Sequence, residues 1–191
     1  MPYCLAMTTN SNQRKMNDRL KDILRIVPDF PTKGIMFYDV STLFADPECL
    51  SEAVERLYRM YKDEGVTKVV GIESRGFVLG AALAVRLGAG LVMARKPGKL
   101  PADVVSATYE KEYGTDTIEI HSDAITPDDV VLLHDDILAT GGTMLAAKQL
   151  VDSFHPRKVM VNFLIELHCE GLHGRDVFPE GTDLRALLDL G

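Results

Sequence analysis

The apolar positions change period several times along the chain, and each change marks the start of a new element. Met16, Leu20, Ile23, Leu24 and Val27 fall on one helical face and Pro28 closes the pattern, which predicts an amphipathic first helix. PDFPTKGIMFYDV follows, where two prolines and Gly34 force a loop ahead of a short aromatic strand. Asp46 before Pro47 reads as a cap with a first-turn proline. Leu50, Val54, Leu57 and Tyr61 then repeat at helical spacing as far as Gly65.

TKVVGI is a continuous apolar run of strand length, ESRG a turn, FVLGAALAVRL a helix and GLVMAR a further strand, so the segment reads as a parallel strand-helix-strand unit. DVVSATYE and DTIEIHS alternate around the polar centre EKEYGT, which predicts two antiparallel extended arms. VVLLH is another buried strand, TMLAAKQLVDSF a helix and KVMVNFLIEL a third apolar strand, with LRALLDL a candidate for the last one. The sum is a three-layer α/β sandwich around a mainly parallel sheet. Residues 1–12 read as a loose tail and 13–191 as a single domain.

Composition narrows the function classes. With 46% apolar and 26% charged residues in 191, the chain is an ordinary globular protein with a well-filled core. A formal net charge of -7 disfavours a dedicated nucleic-acid binder, which needs a concentrated basic surface, but leaves room for a local basic cluster that binds a small phosphate. Arg86 interrupts the longest apolar run well short of the roughly 20 residues that span a bilayer, and MPYCLAMTTNSNQ lacks the basic start and apolar stretch of a secretory signal. No membrane association is expected.

Cys4, Cys49 and Cys169 form no CxxC pair and are too scattered for a disulfide framework, which suits a reducing, cytoplasmic setting. His168, Cys169, Glu170 and His173 match no zinc spacing and read as a solvated loop, so no metal-ligating side chains are assigned.

The candidate chemistry lies in VVLLHDDILATGGTM, residues 130 to 144. In open parallel sheets ligands bind outside the carboxyl ends of the strands, where this run delivers Asp135 and Asp136. Gly141 and Gly142 carry no bulk, so successive N–H groups of the following turn can face one anion at a helix start, and Thr140 and Thr143 add hydroxyls. A bare phosphate beside two carboxylates would be repelled. A phosphorylated sugar resolves the conflict, because carboxylates accept hydrogen bonds from vicinal hydroxyls while the turn holds the phosphate. Thr143 stands where a nucleotide-triphosphate loop needs lysine, and GxGxxG is absent.

HDDILATGGTM resembles the phosphoribosyl-diphosphate motif of the type I phosphoribosyltransferases. PDFPTKGIMFYDVSTLFADP, GIESRGFVLGAALA, RKPGKLPADVVSATYEKEYG and IEIHSDAI are similar, in order and spacing, to the adenine-specific members of that family, from about Pro28 to Glu166. The resemblance implies a magnesium-dependent transfer of phosphoribose from its 1-diphosphate to N9 of adenine, giving AMP and diphosphate, by a cytoplasmic homodimer in purine salvage. It also implies a small N-terminal hood, about 28–40, and a flexible lid, about 103–120.

By position, the resemblance puts the 5-phosphate on Ala139, Thr140, Gly141, Gly142 and Thr143 and the ribose on Asp135 and Asp136. Diphosphate falls to Glu73, Ser74 and Arg75, in a turn that often holds a non-proline cis peptide, and to the basic cluster Arg95, Lys96 and Lys99. Met36, Phe37 and Arg75 face adenine. Glu112 and Tyr113 stand in the lid nearest the reacting centre, with Glu112 as the catalytic group, and Mg2+ is held mainly through the diphosphate and ribose hydroxyls of the substrate. The chain departs from the family at His134, usually aliphatic, and at Tyr38, arginine in some members. The phosphate turn does not separate adenine from hypoxanthine or xanthine. A regulatory protein on the same fold would need an added nucleic-acid module or basic face, and neither is visible in the sequence.

Overall fold

The computed structural model describes residues 18–110, 114–169 and 172–191. Among these, five parallel strands form the central sheet: β3 (Lys68–Ile72), β4 (Gly90–Ala94), β7 (Val130–Leu138), β8 (Lys158–Leu167) and β9 (Leu184–Leu190). Their order is β4-β3-β7-β8-β9. The chain winds outward from β3 to β4, then returns to place β7 on the other side of β3, so the switch point of the sheet lies between β3 and β7. The apolar runs are buried because helices cover both faces. On one side pack α3 (Pro47–Tyr61) and α4 (Gly76–Leu87), with Leu57, Leu79 and Leu83 against Val69, Leu132 and Leu164; on the other packs α5 (Gly142–Asp152), with Ala147 and Val151 against Val131, Leu133 and Phe163.

Two antiparallel hairpins stand outside this sheet. β1 (Arg25–Pro28) pairs with β2 (Met36–Asp39), and β5 (Val104–Glu110) with β6 (Thr115–His121). The second pair is the two arms expected from the alternation, and it is tied to the sheet edge by the Arg95–Glu119 bridge.

Three expectations change. The first helix shrinks to α1 (Arg19–Asp22), capped by the Asp18 carboxylate on the Leu20 N–H, and Met16 lies outside the described residues. Arg25–Pro28, read as the end of that helix, is a strand, because pairing with Met36–Asp39 outweighs a weak helical pattern rich in β-branched residues. The β1–β2 hairpin therefore begins at Arg25. A short helix, α2 (Ser41–Ala45), precedes α3 and had no separate signal. Finally, β7 does not stop before the two acids: Asp135 pairs with Phe163 and the strand runs on to Leu138, opposite Glu166.

Candidate active site

The turns that leave β3 and β7 meet at the switch point, and between them they carry most of the residues singled out from the sequence. The β7 turn, residues 139–143, lines a cavity of about 190 Å3 together with Asp135, Met144 and Phe163. Gly141 has φ +77, a conformation that side-chain-bearing residues rarely adopt, and it caps α5 without any side-chain hydrogen bond. The first N–H groups of α5 thus keep the partial positive charge of an uncapped helix start. A Cβ placed on Gly142 would meet nothing within 4 Å, so this residue opens onto free space. The Thr143 hydroxyl lies 2.9 Å from the hydroxyl of Tyr109, on β5.

Asp136 is almost fully buried and its Oδ2 lies 2.5 Å from Arg75 Nε, an ion pair whose geometry leaves that oxygen without a hydrogen bond. Burial raises the Asp136 pKa and the Arg75 guanidinium offsets part of that rise. Burial, and then the charge of Asp136 beside it, hold the Asp135 carboxyl well above the usual carboxylate range. The two acids therefore behave as a pair that resists carrying two charges at once. Gly76, the first residue of α4, has to be glycine for the helix to approach this pair: a Cβ there would lie 2.7 Å from the His134 carbonyl oxygen and 3.0 Å from Asp135 Oδ1.

Arg75 also reaches the β1–β2 hairpin. Its guanidinium carbon lies 5.3 Å from the centre of the Phe37 ring, and Phe30 packs edge-on to that ring at 5.1 Å. Met36 stands opposite Pro28 at the end of the hairpin, and Pro28 has no N–H to give to the ladder. Tyr38 is half-buried and packs against the main core.

The peptide between Glu73 and Ser74 is cis, as the resemblance implied. Ser74 is exposed. Glu73 accepts hydrogen bonds from Arg95 Nε and Nη2, both at 3.3 Å, and from the Lys96 N–H at 2.9 Å. The Lys96 N–H, with Arg95 behind it, keeps the Glu73 carboxyl below its ordinary pKa. Arg95 also donates to the Lys99 carbonyl, while the Lys99 side chain is exposed. Lys96 Nζ pairs with Asp116 of β6 at 2.8 Å, which raises the lysine pKa.

The structure thus joins Arg75, Asp136 and Phe37 in one group, Glu73, Arg95 and Lys96 in a second, and Asp135 with the β7 turn in a third. Glu112 and Tyr113 lie outside the described residues, as does Glu170. Sequence reading missed Asp116 and Tyr109, whose alternating strands showed which face they share but not what they meet. It also missed Gly174, which lies against the β7 turn from a stretch without any periodic pattern.

His134 is fully buried inside β7. Asn162 gives its amide to the Arg185 carbonyl, which leaves its Oδ1 to accept from His134 Nδ1 at 2.6 Å. His134 Nε2 is buried without a partner, and burial lowers the pKa to about 4, so the ring is a neutral part of the core. At the far ends of β8 and β9, Glu166, His168 and Asp189 come within 4.8 Å of one another, but the Arg175 guanidinium occupies both Glu166 oxygens. Among the described residues no helix is long and apolar enough to cross a membrane.

Residues 39–180 match the phosphoribosyl transferase domain family. The adenine phosphoribosyltransferase of Phocaeicola vulgatus is 64% identical over 173 residues, which cover 91% of this chain and 98% of that protein. Among solved structures, the adenine phosphoribosyltransferase of Rhodothermus marinus superposes with a TM-score of 0.83 at 49% identity, covering 90% of this chain and 96% of the other. The Giardia lamblia enzyme, solved in complex with 9-deazaadenine, gives 0.84 at 44% identity, with 90% and 96% covered.

Proposed function

The chain belongs to the phosphoribosyl transferase family, and from that membership we infer the work of its site: a purine-salvage pentosyltransferase that moves phosphoribose from 5-phospho-alpha-D-ribose 1-diphosphate to N9 of adenine, giving AMP and diphosphate. The observation that carries the reading is the meeting, at one switch point, of a neutral anion-binding turn, a buried acid pair and a charged turn. A ligand with one phosphate, a diol and a diphosphate uses all three.

The roles follow from the chemistry of each group. The N–H groups of 139–143 and the Thr140 and Thr143 hydroxyls bind the 5-phosphate, and Tyr109 gives up its hold on Thr143 when it arrives. Asp135 and Asp136 accept hydrogen bonds from the ribose 2- and 3-hydroxyls, which supply the aligned hydrogen bond that Asp136 Oδ2 does not make with its ion-pair partner Arg75. Arg75, Arg95, Lys96 and Lys99, with the N–H groups of the Glu73–Ser74 turn, meet the diphosphate. Glu73 keeps Arg95 oriented toward it. As the bond to diphosphate breaks, the ribose carbon becomes cationic and the leaving group gains charge, and these fixed donors stabilise the latter most where it develops.

Magnesium fits this donor set, because hard divalent cations prefer oxygen ligands and a buried acid pair with an unsatisfied oxygen offers them beside the sugar. It would be held through the substrate, oriented by Asp135 and Asp136, and would offset the charge of the diphosphate.

Adenine packs on Phe37, and the Met36 backbone supplies an N–H and a C=O that match its amine and N1 while mismatching hypoxanthine. Glu112, which lies in sequence between β5 and β6 and outside the described residues, is assigned the ring proton lost as N9 is attacked, and its neighbour Tyr113 is assigned to the donor. A homodimer in the cytoplasm completes the reading. Val78 and Val85 on α4 and Leu91 and Met93 on the edge strand β4 are exposed apolar residues of the kind that a second copy would cover.

The decisive experiment is turnover with phosphoribosyl diphosphate, magnesium and each of adenine, hypoxanthine and guanine, with nucleotides separated by chromatography. Efficient AMP formation with adenine alone is expected. Comparable efficiency on hypoxanthine would defeat the base assignment, and no product from any base would defeat the transferase reading.

A further inference from the structure

The phosphate turn does not stand on its own residues. A Cβ on Gly141 would run into the Gly174 carbonyl oxygen and would lie 2.8 Å from a methyl of Val177. A Cβ on Gly174 would in turn run into the Ala139 carbonyl oxygen and come within 2.8 Å of the Leu138 side chain. Two backbones therefore touch here without side chains between them, at the start and in the middle of the turn. Neither can shift toward the other.

What holds the second backbone is Arg175. Its Nε donates to Glu166 Oε1 at 2.9 Å and its Nη2 to Oε2 at 2.5 Å, a two-pronged pair, while Nη1 donates to the Leu184 carbonyl at 3.1 Å. Glu166 is buried on β8 and is paired in register with Leu138, the last residue of β7 before the turn begins. The clamp thus springs from the same row of the sheet that the turn leaves. Glu166 is buried but the Arg175 side chain is half-exposed, so solvent screens the attraction and the pair contributes little net stability, but a guanidinium fork fixes direction.

We propose that the Gly174–Arg175 segment, locked by Glu166, is a positioning element that holds the 139–143 turn in the shape that receives the 5-phosphate. The proposal rests on the assignment of that turn to the 5-phosphate. It makes Arg175 a positioning residue, acting through backbone contact and never touching the substrate. Aiming several N–H groups at one anion requires a rigid support, and slack in the support is paid in affinity for that anion alone.

The test compares two ligands whose phosphates fall on different turns, ribose 5-phosphate on the β7 turn and magnesium diphosphate on the β3 turn, by calorimetric titration of the full-length protein. Arg175→Met and Gly174→Ala are each expected to weaken ribose 5-phosphate about tenfold, as loss of a single charge-assisted hydrogen bond would, and to leave diphosphate affinity unchanged. Donor KM should rise in step while kcat at saturation holds. Arg175→Lys, which keeps the charge and loses the fork, should fall between parent and Arg175→Met, and it decides the matter if either other variant does not fold. Equal weakening of both ligands, or a lower melting temperature with ribose 5-phosphate binding intact, would overturn the proposal. Gly142→Val serves as the control. If it weakens ribose 5-phosphate and the clamp variants do not, the clamp is refuted and the turn assignment stands. If it too has no effect, the turn assignment fails and the clamp proposal with it.

Discussion

The turn that leaves β3 and the turn that leaves β7 stand side by side at the switch point, and each runs into a helix that begins with glycine and carries no side-chain cap. Beyond that they diverge. The β3 turn is charged, and its charges already have partners: Glu73 holds Arg95 and the Lys96 N–H, and Arg75 holds Asp136. The β7 turn carries no charge and presents backbone N–H groups and two hydroxyls around a cavity. On the proposed assignment one turn recognises by charge, whose effective strength its neighbours adjust by degrees. The other recognises by shape, which a single Cβ can abolish. Substitutions in the first should therefore tune binding, and substitutions at the second should remove it.

The largest effect is expected at the acid pair that joins the two turns. Asp135→Asn with Asp136→Asn removes two charge-assisted hydrogen bonds to the ribose, worth together about 3–6 kcal/mol, so kcat/KM for the donor should drop by roughly a hundredfold to ten-thousandfold. Steady-state kinetics would show it, and a double variant within tenfold of the parent would remove the acids from the site.

Next comes Gly142→Val. Its side chain enters the open space of the turn and displaces the phosphate by an ångström or more, a misplacement that costs about a hundredfold. Melting temperature should not change, since no core contact is lost. Undiminished donor affinity by calorimetry would contradict recognition by shape.

Smaller changes are expected at the charged turn. Glu73→Gln keeps an acceptor for the Lys96 N–H but removes the negative charge facing Arg95, so diphosphate should bind several-fold tighter and its release should slow turnover. Weaker diphosphate binding, measured as product inhibition, would mean that the orientation of Arg95 matters more than its net charge.

The smallest effect concerns stability. Folding raises the Asp135 pKa above its unfolded value near 4, so between the two values the folded chain binds more protons and stability falls as pH rises through that window. Asp135→Asn removes this titration while keeping an acceptor for the Asp136 N–H. The variant should melt modestly higher than the parent above the window, and the gain should vanish as pH falls toward about 4. A gain that does not change with pH would show that burial of Asp135 is not what strains the site.

Much of this fold is legible in the sequence because its signals are local. The apolar runs at 68–72, 130–133 and 158–167 and the helical spacing of α4 and α5 are properties of neighbouring residues, and so is the ATGGT turn, whose chemistry depends on five consecutive positions. The alternation in the two arms fixed their antiparallel hairpin for the same reason. What the tertiary structure alone decided are the encounters between distant segments. Arg25–Pro28 became a strand because a partner strand was available, against the helical spacing of its own apolar residues. β7 continued past its two acids because β8 offered a pairing edge as far as Glu166. Lys96 met Asp116, Tyr109 met Thr143, and Gly174 came to rest against Gly141, across gaps in sequence that no periodicity spans. A local pattern records which face of an element is apolar; which partner satisfies a given charge or backbone depends on packing of the whole chain, and that information exists only once the layers have closed.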